Sequence, residues 1–252
     1  MKLAIIGHGR LGKLLATNLG QDFDIGVYEE SSKIEVSSKF KRLNSLSDLK
    51  DYEIILLAIP INKIKPFCSN DFSFLNPSTL FIDTCSVKSI PMQQMEEMLP
   101  QNVEILGTHP MFGPDSAKET LWGNKIVLCP VRISEYKFNN IKKYLERHGL
   151  KVIIATPKQH DKDIAHSLGL THLIGRALID MQAKSLEIDT KGYRRLMKIL
   201  ETVENDTIEL FKDMNLYNPH AKEMRNKLIS TLSQIDHTIS NFEADHKKEE
   251  ES

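Results

Sequence analysis

The stretch Leu3-Ala4-Ile5-Ile6-Gly7-His8-Gly9-Arg10-Leu11-Gly12-Lys13 decides the fold. Four apolar residues run straight into a glycine, which reads as a buried strand ending in a turn. The turn has the spacing G-x-G-x-x-G, and a helical pattern follows from Lys13 to Leu19. A glycine triplet alone is common, but one that leaves a strand and opens a helix has a physical task. Gly7 permits a tight turn, Gly9 lets a pyrophosphate approach the backbone, and Gly12 lets helix and strand pack closely. The helix N-terminus adds N–H donors and the positive end of its dipole.

A second strand, Ile25–Tyr28, ends at Glu29. An acid there accepts hydrogen bonds from a ribose 2′-hydroxyl and repels a 2′-phosphate, so NAD is expected over NADP. Glu30 adds to that repulsion, whereas Arg10 and Lys33 pull the other way.

Short apolar runs recur at Ile54–Ile59, Leu80–Ile82, Val103–Leu106, Ile126–Leu128 and Val152–Ala155, with helix-like segments between most of them. Such alternation predicts a Rossmann-type, doubly wound parallel sheet over residues 1–155. Near residue 156 the character changes. Thr156 and Pro157 make a helix start, and no convincing strand follows. Asp161–Lys184 is apolar nearly all round, Gly192–Met214 is one-sided, and Ala221–Ile239 is a third helix. Residues 156–243 are therefore expected to form an all-α domain. The all-round apolar helix asks for cover from a second copy, so a homodimer is expected. The charged segment 244–252 is expected to be disordered.

Composition closes other routes. The 252 residues carry 33 Lys+Arg against 34 Asp+Glu, a formal net charge of -1, which lacks the basic footprint of a nucleic-acid binder. No apolar run approaches the ~20 residues of a membrane span. The start of the chain reads as a strand, not a signal peptide. Cys68, Cys85 and Cys129 are sparse and odd in number, as expected of reduced cytoplasmic thiols, and none has zinc-ligand spacing, so no metal is expected.

Two segments lie beyond strand ends on the rim where doubly wound sheets bind ligands. They are Asp83-Thr84-Cys85-Ser86-Val87-Lys88 and Gly107-Thr108-His109-Pro110-Met111-Phe112-Gly113-Pro114. His109, stiffened by prolines, is a candidate proton acceptor near neutral pH. Ser86 reads as a site hydroxyl or as the N-cap of the helix that follows.

The run Gly107 to Ala117 resembles the signature of the prephenate and arogenate dehydrogenases of tyrosine biosynthesis, and Asp83–Lys88 resembles their serine-containing loop. The likeness continues through His160-Asp161, Thr171 to Arg176, Ile188 to Tyr193 and Tyr217 to Ala221, where the plant-type arogenate dehydrogenases are most similar. The resemblance implies oxidative decarboxylation of arogenate to tyrosine, with prephenate to 4-hydroxyphenylpyruvate as the alternative. A non-catalytic NAD(P)-binding sensor is a more remote one. It implies that His109 accepts a hydrogen bond from the substrate hydroxyl and that Ser86 orients that hydroxyl and the nicotinamide. Cofactor contacts are expected from Gly7, His8, Gly9, Arg10, Leu11, Gly12, Glu29, Ala58, Pro60 and Ser86. The Glu29-Glu30 pair departs from the plant type, which tends to carry small or basic residues there.

In the helical half the resemblance implies substrate contacts from His172, Arg176, Thr190, Lys191 and Asp206. From the residues alone, His172 also reads as a satisfied core histidine and Lys191 as a solvated loop lysine. On a helical wheel Asp206 falls at the edge of an apolar stripe, close to Ile199 and Leu210. It is an acid either facing water or facing a ligand. By resemblance it favours arogenate, whose ammonium group stands where prephenate has a ketone.

Overall fold

The computed structural model describes every residue except 116, 118, 119, 251 and 252, and the side chain of residue 202. The strands are β1 (Lys2–Ile6), β2 (Asp24–Tyr28), β3 (Lys41–Leu43), β4 (Ile54–Leu57), β5 (Leu80–Asp83), β6 (Glu104–Pro110), β7 (Lys125–Arg132) and β8 (Lys151–Ile154). The helices are α1 (Arg10–Leu19), α2 (Ile61–Cys68), α3 (Ser89–Met98), α4 (Glu135–Arg147), α5 (Pro157–Ile164), α6 (Leu170–Asp180), α7 (Lys191–Val203), α8 (Ile208–Tyr217) and α9 (Ala221–Glu250). Two compact units result: Met1–Ile164 with Thr207–Asn218, and Ala165–Asp206 with Pro219–Ser252.

The first unit is a single sheet in the order β3-β2-β1-β4-β5-β6-β7-β8. Residue parity builds its two cores, because successive side chains on a strand point to opposite faces. Ala4, Ile6, Ile55, Leu57, Phe81 and Ile105 pack on one face with α2 and α3. Leu3, Ile5, Ile54, Leu56, Leu80, Ile82 and Leu106 pack on the other with residues of α1 and α4. The central strands are buried on both faces, so they read as unbroken apolar runs rather than alternating ones. Strand order reverses between β1 and β4, and that switch point is where such sheets open a crevice for ligands.

Three features of the first unit differ from the sequence reading. β3 was not foreseen: it is three residues long, and Lys41 and Arg42 are exposed. β6 extends through His109 and Pro110, and pairs antiparallel with β7, so the sheet is mixed rather than all-parallel. The change of class is also not one cut near residue 156. α5 belongs with the sheet, and so does α8, whose Asp213 accepts a hydrogen bond from the backbone N–H of Asn62 at 3.3 Å. That carboxylate caps α2, whose own N-cap is a proline with no side chain to offer.

In the second unit, the segment expected as one long helix from Asp161 is interrupted by a π-helical turn at Ala165–Gly169. α6 then packs closely on α7, because a Cβ on Gly175 would lie 2.5 Å from Val203 Cγ2. The expected helix Gly192–Met214 is two helices. α7 ends at Val203, and Thr207 starts α8 by accepting a hydrogen bond from Leu210 N at 3.1 Å. The charged segment expected to be disordered is helical as far as Glu250; its last two residues lie outside the described ones. On α9, Leu228, Leu232, Ile235, Ile239 and Phe242 follow the alternating four-three spacing of a coiled-coil seam. The last four of these are exposed, Phe242 to 68%.

Candidate active site

The glycine turn lies at the switch point. Gly7 has φ +94°, and a Cβ there would sit 2.5 Å from the carbonyl oxygen of Ala58, so only glycine fits between β1 and the end of β4. A Cβ on Gly12 would strike the Gly7 carbonyl, which holds α1 tight against the turn. A Cβ on Gly9 meets nothing within 4 Å. The backbone there is open on the side where α1 begins, which is a cradle for an anion. Arg10 leaves this turn to pair with Asp115 at 2.7 Å, tying it to the loop after β6. Leu11 packs against the second core, and Pro60 is the N-cap of α2.

Glu29 stands at the end of β2 with both oxygens engaged. Oε2 accepts from His8 N at 2.7 Å and Oε1 from Ser31 N at 2.9 Å. Arg42 of β3 lies alongside, donating to the carbonyl oxygens of Glu29 and Ile34 at 3.3 Å. His8 is buried and its Nδ1 has no partner among the described residues. Burial, with help from Lys13, keeps its pKa below the ordinary histidine value.

At the carboxyl ends of β5 and β6 lie the two segments singled out above. Ser86 Oγ is buried and without a partner among the described residues. It is not the cap of α3, which starts at Ser89 with Lys88 as N-cap. The capping oxygen atoms come from Asp161 of α5, which accepts from Lys88 N at 2.7 Å and Ser89 N at 2.8 Å. His109 is held in the β6–β7 pairing opposite Val127. Its Nδ1 lies 2.9 Å from His160 Nε2, and His160 Nδ1 lies 2.8 Å from Asp161 Oδ1. Burial, then the neighbouring His160 and Lys88, hold His109 well below the ordinary histidine range, so it is neutral at pH 7. Burial alone would raise the Asp161 carboxyl, but hydrogen bonds from His160, Ser89 and Lys88 outweigh it and keep the group ionised. Beneath the rim, Lys88 and Asp83 form an ion pair with no solvent exposure.

These residues fit a dinucleotide. The open backbone at Gly9, and the partnerless buried atoms His8 Nδ1 and Ser86 Oγ, are what a bound cofactor would complete.

The second unit gathers its own cluster. His172 is buried on α6 with Nε2 3.5 Å from Asp206 Oδ2, and Arg176 donates to the Asp206 carbonyl at 2.6 Å. Asp206 lies in the turn between α7 and α8 and not on a helix, so its place on a helical wheel does not apply. Burial lowers the His172 pKa, with Asp206 opposing and Arg176 assisting. Thr190 is the N-cap of α7, accepting from Tyr193 N at 3.2 Å. Lys191 is the exposed first residue of that helix, and no bond joins it to His172, Arg176 or Asp206 among the described residues.

The family model described as "Prephenate dehydrogenase, nucleotide-binding domain" matches residues 17–154. A second, "TYRAAT1-like, C-terminal domain", matches 177–251. The chain belongs to the prephenate/arogenate dehydrogenase family. It is 35% identical to "Arogenate dehydrogenase 1, chloroplastic" of Arabidopsis thaliana, over 88% of this chain but only 37% of that protein. It is 33% identical to "Arogenate dehydrogenase 2, chloroplastic" of the same plant, over 90% of this chain and 67% of that one. The chain thus spans little more than a third of the first relative's length. Prephenate dehydrogenase of A. aeolicus, in complex with hydroxyphenyl propionate and NAD+, shares the fold with a TM-score of 0.75. It is 19% identical and covers 96% of this chain and 91% of its own.

The sequence marks His160 and Asp161 only as part of the family likeness and assigns them no task. The available signal was two adjacent ionisable residues at a helix start, both of which turn out buried. Nothing local marks Arg42 or Asp213: Arg42 acts on the segment that follows β2, and Asp213 on α2, 151 residues back in the chain.

Proposed function

We propose that this chain oxidises arogenate to tyrosine with loss of carbon dioxide, and that the nicotinamide cofactor is NAD. The observation that carries the reading is His109: a neutral, buried imidazole at the end of β6, beside a strand end that carries a partnerless serine hydroxyl. A bound nicotinamide cofactor would supply the acceptor for the hydride that leaves the carbinol carbon of the substrate. His109 takes the hydrogen bond of the substrate hydroxyl and draws on its proton as carbonyl character develops. The bond from the ring to the departing carboxylate breaks, its electron pair completes the aromatic ring, and the proton returns to the phenolic oxygen. Ser86 holds that hydroxyl in line.

Gly7, Gly9 and Gly12 with the start of α1 would hold the pyrophosphate, and Glu29 the adenosine ribose. His172 and Arg176 are assigned to a substrate carboxylate and Asp206 to the arogenate ammonium. Burial holds His172 neutral, so it adds no positive charge of its own beside Asp206. Lys191 and Thr190 are kept as border residues of lesser weight. We also assign the exposed seam of α9 to a second copy of this chain, making a homodimer.

The test is an absorbance assay of cofactor reduction with arogenate or prephenate, each with NAD or NADP. Turnover with arogenate and NAD is the expected result. Turnover with prephenate alone would discard the Asp206 assignment, and none in any combination would discard the reading.

A further inference from the structure

We infer that the hydrogen-bonded run Asp161–His160–His109 fixes the tautomer of His109, leaving the lone pair on Nε2 as the atom that receives the substrate proton. His160 and Asp161 are then positioning residues. The inference rests on the proposed activity for its purpose but not for its geometry.

An ionised carboxylate has only lone pairs, so across the 2.8 Å contact His160 Nδ1 must donate to Asp161 Oδ1. A neutral imidazole that donates from Nδ1 has its lone pair on Nε2. The 2.9 Å contact to His109 Nδ1 therefore needs its proton from His109. With Nδ1 protonated, a neutral His109 is bare at Nε2. When Nε2 takes the proton, the imidazolium donates from Nδ1 to a neutral acceptor that is itself backed by a carboxylate. Asp161 stabilises that charge without taking a proton. The carboxylate is fixed for this task because its oxygens also accept from Lys88 N and Ser89 N, and Asn218 Nδ2 donates to its backbone carbonyl at 2.8 Å.

The test is 15N NMR of the histidine rings in the full chain, free of substrate and cofactor, with His109→Asn identifying the His109 signals. At neutral pH, His109 should show a protonated Nδ1 and a bare, acceptor-type Nε2. A protonated Nε2 overturns the inference whether or not the chain turns over arogenate. In steady-state assays, His160→Ala should lower kcat by roughly 10²-fold or more, with KM for arogenate changed less than about threefold. His160→Gln, whose amide oxygen can accept from Nδ1, should recover part of that loss. Unchanged kcat in His160→Ala overturns the inference. Loss of kcat that Gln does not rescue, with the wild-type tautomer reversed, does so equally. Should these variants not fold, the wild-type tautomer decides alone. Failure of the wild type to oxidise arogenate would instead strike the proposed function.

Discussion

Glu29 Oε2 accepts a hydrogen bond from the backbone N–H of His8 at 2.7 Å, so the acid at the end of β2 is fastened to the glycine turn itself. This sets the carboxylate rigidly beside the turn, with Arg42 alongside. The proposed preference for NAD then depends on one negative charge standing before a cation. Replacing Glu29 with Ser should remove the repulsion of a 2′-phosphate and leave Arg42 and Lys33 to attract it. The KM for NADP should fall about tenfold or more, while that for NAD rises. Unchanged KM values for both cofactors would take Glu29 out of cofactor choice.

The depressed pKa of His109 has a pH signature. A base is lost as pH falls through its own pKa, and burial places that point below the ordinary histidine value of 6.5. The acid limb of kcat/KM should therefore lie below that value, and activity should persist in mildly acidic buffer. His109→Ala should lower kcat by about 10²–10⁴-fold with NAD affinity, read by fluorescence titration, nearly intact. An acid limb at or above the ordinary histidine value, or near-normal turnover by His109→Ala, would sink the role given to this residue.

Much of the first unit was legible because its signals are local. A strand, a glycine turn and a helix follow one another within twenty residues, and burial on both faces makes the central strands plain as unbroken apolar runs. The relay behind His109 was not legible, because its partner His160 lies fifty-one residues away, across β7, α4 and β8. α8 misled for another reason. Its apolar residues continue the pattern of α7, and only Thr207 marks the break, by starting a new helix with its own hydroxyl. That break moved Asp206 from a helical face to a turn, where it meets His172 and Arg176. β3 escaped because a three-residue strand with two exposed basic residues has no hydrophobic signal to offer.

Asp206 makes the substrate choice testable. Its carboxylate lies 3.5 Å from the imidazole of His172, which burial holds neutral, and is the acid proposed to meet the arogenate ammonium. Asp206→Asn removes the charge and keeps the shape. The ratio of kcat/KM for arogenate over prephenate should fall by about tenfold, consistent with ~1.4 kcal/mol of lost attraction. Equal ratios in wild type and variant would return Asp206 to the role of a surface acid that closes the α7–α8 turn.

The α9 seam bears on assembly. An exposed apolar stripe on a thirty-residue helix is more than isolated surface residues explain. Light scattering should give the wild-type chain twice the monomer mass. Ile235→Lys with Ile239→Lys should bring it to monomer mass, since burying two ammonium groups in a helical seam is unfavourable. A monomeric wild type, or a double variant that still dimerises, removes α9 as the interface.

The Lys88–Asp83 pair holds the rim from below, and its energetics are lopsided. Both side chains are fully buried, and Asp83 Oδ1 also accepts from Cys85 N at 2.9 Å, so the carboxylate anchors the start of the Ser86 segment. Two buried charges that face each other offset a large desolvation cost, and their net contribution is small. Removing one of them is different, because the other is left buried without a partner. Lys88→Met should therefore lower unfolding stability by about 3–5 kcal/mol, measured as a shift in the urea midpoint at constant slope. Asp83→Leu should cost a similar amount. The double variant should recover most of the loss, since an apolar pair of similar volume carries no desolvation penalty. A double variant whose loss equals the sum of the two single losses would show that the two side chains do not interact as a pair. The stability of the segment would then rest on backbone bonds, such as that from Thr108 Oγ1 to the Asp83 carbonyl at 2.6 Å.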